Sequence, residues 1–334
     1  SGLAGHASPC GGRPLQRAPM APQANPAAGL GADLQELMAR LATGGGDSQD
    51  VVRRMAEAGA AWTFDAEFDA ASFAAVFEAL CEVEYSGIES IKVWKCGGGD
   101  ESVRSVCRYL DMSPPPPVNR LDFTSNRVSA LGCELLARTL ALGADGAVES
   151  LTLDHNSLGT AGVELLSLHL SHGSRLRRLS LRHCSIGEEG GKTLAVILEK
   201  AALEVLHLRG NALGNSGVVD VLHSARETKT LTEVDLCDTK IDDAPEVIEA
   251  LCDAFAKVPS LARYDLSANK IGEEGTARLI AGMEGRAHLD QVLVSDEPSA
   301  ETSATLLEAG HSAGKGKGKK GKKSRAAAFA RLAA

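Results

Sequence analysis

A chain of 334 residues with 44% apolar content can bury a large core, and no apolar run approaches the ~18 residues of a membrane-spanning helix, so no bilayer span is expected. The eight cysteines stand singly with no C-x-x-C pair, which argues for reduced thiols and against the disulfide framework of a small secreted domain. The net charge of −9 is unevenly placed: eight basic residues follow Glu308 with no acid among them, leaving 27 basic against 44 acidic residues, about −17, on the rest.

Residues 1–32 are rich in Ala, Gly and Pro, with Arg13 and Arg17 and no acidic residue. That composition does not support a packed core, and we expect the segment to be disordered. It reads as a processed end or as part of an organellar transit peptide, although its prolines and glycines suit an amphipathic helix poorly. Residues 33–87 read as a helical N-terminal cap. Asp33 is a good N-cap for a helix starting at Leu34, and Asp69 for one running Phe73 to Leu80. Trp62, Phe64, Phe68, Phe73 and Phe77 crowd this stretch, as a plug over an exposed first strand would require.

From Ile88 one phrase recurs, most cleanly as Leu151-Thr152-Leu153-Asp154-His155-Asn156-Ser157-Leu158-Gly159, in the pattern L-x-L-x-x-N-x-L-G. The same inward position returns at Ile91, Leu121, Leu151, Leu179, Leu206, Val234, Tyr264 and Val292, 27 to 30 residues apart. Apolar residues two apart share one face of a short strand. The polar position that follows is Asn126, Asn156, Asn211 and Asn269, with Cys96, Cys184 and Thr239 as substitutes, where a side chain can bond turn backbone. Glycine pairs such as Gly187/Gly190 and Gly214/Gly217 permit a tight turn and close helix packing, while Asp242 and Pro245 take those places in one unit. Helices follow from apolar spacings of three and four, as in Val163, Leu166 and Leu170. Pro114 to Pro117 form a stiff loop between the first two units. We therefore expect an α/β solenoid of about seven to eight units over residues 88–297, with a parallel concave sheet and convex helices. Residues 298–334 follow as a linker and basic tail.

The pattern L-x-L-x-x-N-x-L-G-x-x-G with long units resembles the ribonuclease-inhibitor type of leucine-rich repeat. The resemblance covers roughly two thirds of the chain. It is a type also found in the tails of NOD-like receptors, in tropomodulin, in the Ran GTPase-activating protein and in a subunit of the ciliary dynein regulatory complex. The resemblance implies a horseshoe that binds proteins and carries no residue roles over from any one of these.

Solenoids bind on the concave face, so the outward strand positions are the candidates. The first outward row is Lys92, Asp122, Thr152, Ser180, His207, Asp235, Asp265 and Leu293. The second is Trp94, Thr124, Asp154, Arg182, Arg209, Cys237 and Ser267, and the third includes Lys95, Ser125, His155, His183 and Asp238. At about 5 Å between strands, His155 and His183 should stack, with Asp154 and Arg182 paired beside them. Arg182 would repel a metal there, so neither a metal nor another cofactor is expected. Cys237 lies near Asp235 and Asp238 with no adjacent base, and acidic neighbours oppose a thiolate, so it is not read as a nucleophile. No phosphate-cradling G-x-x-x-x-G-K-[ST] loop is present. What remains is recognition, with a partner-binding set of Lys92, Trp94, Asp154, Arg182, His183, His207, Arg209, Asp235 and Asp265, because Trp and Arg dominate interface hot spots.

The tail, with Lys315, Lys317, Lys319, Lys320, Lys322, Lys323 and Arg325 among its charges, reads as a polyanion-binding segment whose partner is RNA or an acidic cytoskeletal surface. We expect a non-enzymatic scaffold or adaptor that holds a protein on its concave face and is tethered by its tail to an anionic assembly. The alternatives are a GTPase regulator of the Ran-activator type, or a structural subunit of an RNA-containing, ribosomal, ciliary or cytoskeletal complex. The expected location is intracellular and cytoplasmic, ciliary included, with mitochondrial or nuclear alternatives.

Overall fold

A computed structural model describes residues 40–57, 59–65, 70–142, 148–170 and 174–294. The 1–32 segment, the caps Asp33 and Asp69, Phe68 and the 298–334 tail lie outside the described residues. In chain order the elements are α1 Ser48–Glu57, β1 Ala61–Phe64, α2 Ala70–Glu82, β2 Ser90–Val93, α3 Gly99–Leu110, β3 Arg120–Asp122, α4 Ala130–Leu142, β4 Ser150–Thr152 and α5 Gly159–His169. The second half continues with β5 Arg178–Ser180, α6 Gly190–Lys200, β6 Val205–His207, α7 Gly214–Ala225, β7 Glu233–Asp235, α8 Pro245–Lys257, β8 Arg263–Asp265, α9 Glu273–Met283 and β9 Gln291–Leu293.

The described strands form one nine-stranded sheet in sequential order, every neighbouring pair parallel. Strand pairing aligns Ile91, Leu121, Leu151, Leu179, Leu206, Val234, Tyr264 and Val292 without stagger, the alignment that the repeat spacing demands. All eight are buried, as is the second inward row, Val93, Phe123, Leu153, Leu181, Leu208, Leu236 and Leu266. Each such side chain contributes roughly 1.5–3 kcal/mol through removal from water, which is why three-residue strands suffice to hold a unit.

The polar ladder is continuous. Asn156 Oδ1 accepts from the N–H groups of Asn126 (3.0 Å) and Val128 (2.9 Å), while its amide donates to the carbonyls of Phe123 (2.9 Å) and Leu153 (2.8 Å). Asn211 and Asn269 repeat the arrangement two and four units on. Cys184 and Thr239 hold their rungs by donating to the carbonyls of Leu153 (3.2 Å) and Leu236 (2.8 Å), so a thiol or hydroxyl can substitute for the amide. Where Asp242 replaces glycine, its carboxylate accepts from Ala244 N–H (3.0 Å) and Pro245 opens α8.

One expectation needs correcting. The 33–87 stretch, read as helical, contains β1, and Trp62 lies in register with Ile91. Aromatic residues fill the inward positions that leucine holds elsewhere. Phe64 meets Phe73 edge-on at 4.9 Å, Phe73 meets Phe77 at 4.7 Å, and Trp62 stacks on Tyr85 at 5.9 Å. The cap is thus a strand and helix of aromatic composition that extends the sheet. The proline run lies in the loop between α3 and β3, with Pro116 buried.

Candidate binding face

Side chains alternate along a strand, so the outward rows lie together on one surface, and the pairing confirms the first row from Lys92 to Leu293. The third row is not strand. Lys95, Ser125, His155, His183, Gly210, Asp238 and Ala268 all take positive φ, between 52° and 71°, and turn the chain out of the sheet. Non-glycine residues resist that conformation, and the asparagine ladder directly behind holds them in it.

His155 and His183 stack as expected, with ring centroids 4.6 Å apart and 12° between planes. The stack ends at Gly210, where a Cβ would come within 2.1 Å of His183 Nδ1, so the absence of a side chain gives the ring its place. Burial, and then the neighbouring His155, lower the His183 pKa, with Asp238 pulling the other way. Because the folded pKa is depressed, any contribution of this group to stability is complete above the ordinary value near 6.5 and declines as pH falls through the depressed one. In a proton NMR titration His183 should therefore have its midpoint below the ordinary value, and His155→Ala should raise that midpoint part of the way. A midpoint at or above the ordinary value in the unaltered protein would contradict this account.

The expected pairing of Asp154 with Arg182 takes a different form. Asp154 Oδ1 accepts from Ser180 Oγ (2.6 Å) and from the backbone N–H of Arg182 (2.8 Å). The Arg182 guanidinium instead reaches two strands on, to Asp235 (2.9 Å). Arg209 bridges the same carboxylate (3.6 Å) and Asp265 (2.9 Å). His207 Nε2 lies 3.0 Å from Glu233, whose other oxygen receives Arg263 at 2.8 Å. Burial raises the Glu233 pKa, but hydrogen bonds from His207 and Arg263 outweigh it and hold the carboxyl below its usual range. Burial likewise works against the Arg209 charge, and Asp235 and Asp265 more than restore it.

These arginines roof the sheet. Asp235 is 4% exposed and Cys237, read as outward, is fully buried. Burial first, then the Asp265 carboxylate, push the Cys237 thiol up to about 12, so it stays protonated. The donor atoms of Asp235, Cys237 and Asp265 lie within 4.8 Å of one another, a metal-like grouping. Two guanidinium groups already neutralise those carboxylates, so the cluster serves the arginines.

At the other end of the face Trp94 is 41% exposed, with Lys95 Nζ 4.5 Å over its ring, and Lys92 lies 3.6 Å from Asp122. The structure also adds a row that counting forward from the inward leucine passes over: Ser90, Arg120, Ser150, Arg178, Val205, Glu233, Arg263 and Gln291 precede it and also face outward. Period-two alternation, run backward by one residue, would have found it. The tail lysines lie outside the described residues, and no described helix is long and apolar enough to cross a membrane.

Comparison with known proteins agrees with this geometry. The family model described as "Leucine Rich repeat" matches residues 175–195 and 202–221, the segments carrying β5 with the start of α6 and β6 with α7. Over 188 residues the chain is 30% identical to the ribonuclease inhibitor of Sus scrofa, covering 54% of this chain and 39% of that protein. It is 28% identical over 188 residues to NACHT, LRR and PYD domains-containing protein 5 of Bos taurus, covering 55% of this chain and 17% of that one. The chain thus spans about two fifths or less of the length of these relatives.

Proposed function

From a chain of leucine-rich repeats of the ribonuclease-inhibitor type, we propose a non-catalytic scaffold that holds a protein partner on its concave face, with the basic tail tethering it to an anionic assembly. The observation that carries this reading is Trp94, a large aromatic left exposed with Lys95 over its ring on a largely polar face. Binding is favoured over catalysis because burial and acidic neighbours hold the cysteine beside the buried carboxylates protonated. The alternative is a GTPase regulator of the Ran-activator type, and a stimulated GTP-hydrolysis assay separates the two, because a scaffold leaves the rate unchanged. The seven described cysteines are free thiols, which suits a reducing intracellular compartment.

The test is affinity capture with the full chain and with a variant carrying Trp94→Ala and Thr152→Tyr, the first removing the anchor and the second obstructing the middle of the sheet. Loss of an anchoring tryptophan costs about 2 kcal/mol or more, roughly 30-fold in affinity. Partners that disappear with the variant and persist through ribonuclease treatment support the concave face. Full retention of every co-purifying protein by the variant sinks the reading. Loss under ribonuclease alone moves the protein to an RNA-containing particle.

A further inference from the structure

We infer that the concave face between β2 and β5 takes an acidic segment of a partner protein, gripped by the guanidinium groups of Arg120 and Arg178 on the face that also carries Trp94. The inference rests on the concave face being the binding surface and adds the chemistry of what binds there.

The argument starts from how the cations are spent. Arg182, just after β5, and Arg209 and Arg263 in the second half of the face each lie within 2.9 Å of a carboxylate, so little of their charge is left to attract a partner. In the first half, among the described residues, Arg120 and Arg178 have neither an ion pair nor a hydrogen bond from their side chains, and both are exposed. They occupy the same outward position on β3 and β5, with the short Ser150 between them. Two strand spacings separate them, roughly 10 Å.

The carboxylates on this half are already occupied. Asp122 accepts from Thr124 and pairs with Lys92, and Asp154 accepts from Ser180 and the Arg182 backbone. Glu89 and Glu149 are exposed, lie just before the strands that begin at Ser90 and Ser150, and make no ion pair with Arg120 or Arg178. An extended peptide returns a side chain to one face every ~7 Å, within the span of two long arginines, and each carboxylate can take a guanidinium in a bidentate pair. A nucleic acid strand fits less well. It sets a negative charge at every step, including those over Asp122 and Asp154, where a peptide can place a neutral residue.

The experiment is fluorescence anisotropy of a labelled ten-residue peptide alternating Glu and Ser against the full chain, with a Lys/Ser peptide and a ten-nucleotide uridine RNA as comparisons. Arg120→Glu with Arg178→Glu should weaken Glu/Ser binding tenfold or more. Arg138→Glu, on convex helix α4, should leave it unchanged. Neither reversed arginine has a partner to lose, so the melting profile should be preserved, and every variant keeps the basic tail. Equal peptide binding by the double reversal overturns the inference by placing the acidic contact elsewhere. Preferential RNA binding that the reversal abolishes overturns it in favour of phosphate. If the reversal changes nothing while Trp94→Ala with Thr152→Tyr still loses protein partners, the concave reading stands and only the acidic partner falls; if neither variant changes anything, both fall.

Discussion

Replacing Asn156 with alanine is expected to lower the unfolding free energy by about 3–5 kcal/mol, since each buried group left unpaired costs roughly 1–3 kcal/mol. The residue is 1% exposed and joins three stretches of backbone. Some of its partners would be rescued: Leu153 O keeps Cys184 Sγ at 3.2 Å, and Asp154 O keeps Ser125 N–H at 2.9 Å. The N–H groups of Asn126 and Val128 and the carbonyl of Phe123 lose the bonds that Asn156 supplies. Denaturant titration should show the transition midpoint falling far more than in Ser157→Ala, an exposed neighbour outside the ladder. A loss under ~1 kcal/mol would mean that water or a shifted backbone replaces the amide at little cost, and the ladder account would be wrong.

The second large effect concerns two helices at their closest approach. A Cβ on Gly191 in α6 would lie 2.3 Å from Gly217 Cα and 2.4 Å from its carbonyl oxygen in α7. Backbone has no alternative rotamer, so Gly191→Ala must push the helices apart, at about 2–3 kcal/mol. Gly187→Ala is the informative control. Only Thr160 Oγ1, at 3.8 Å, lies within reach of a Cβ there, and little change in stability is expected. Equal effects at the two positions would show that helix spacing is not what Gly191 protects.

Repetition explains how much of this fold is legible without coordinates. A position seen once is ambiguous, but Leu151 is read together with seven equivalents, and the strand pairing places all eight side by side. The His155–His183 stack follows from the same register. The strand β1 was hidden because Trp62 and Phe64 stand where leucines signal a unit elsewhere, and the residues before and after β2 carry the first clear phrase. Within the face, register gives neighbours one strand apart and says nothing about where a long flexible side chain ends. Arg182 passes over the adjacent strand to reach Asp235, and that one choice buries Cys237, closes the metal-like cluster and leaves Asp154 to backbone and serine. The partner-binding set therefore divides: Lys92 and Trp94 remain on the open half, while Arg182, His207, Arg209, Asp235 and Asp265 are bound to one another or to Glu233.

The unstaggered register also makes the length of this solenoid a quantised variable. Each ladder amide reaches carbonyls of its own unit and of the unit before it, so every unit offers its successor the same set of acceptors. Duplicating or excising one whole unit restores that match at both cuts, whereas adding a fraction of one leaves a rung facing the wrong residue. A gene encoding such a chain can lengthen or shorten its curved face only in whole steps, and each step moves Trp94 and the arginine roof apart or together by one strand spacing.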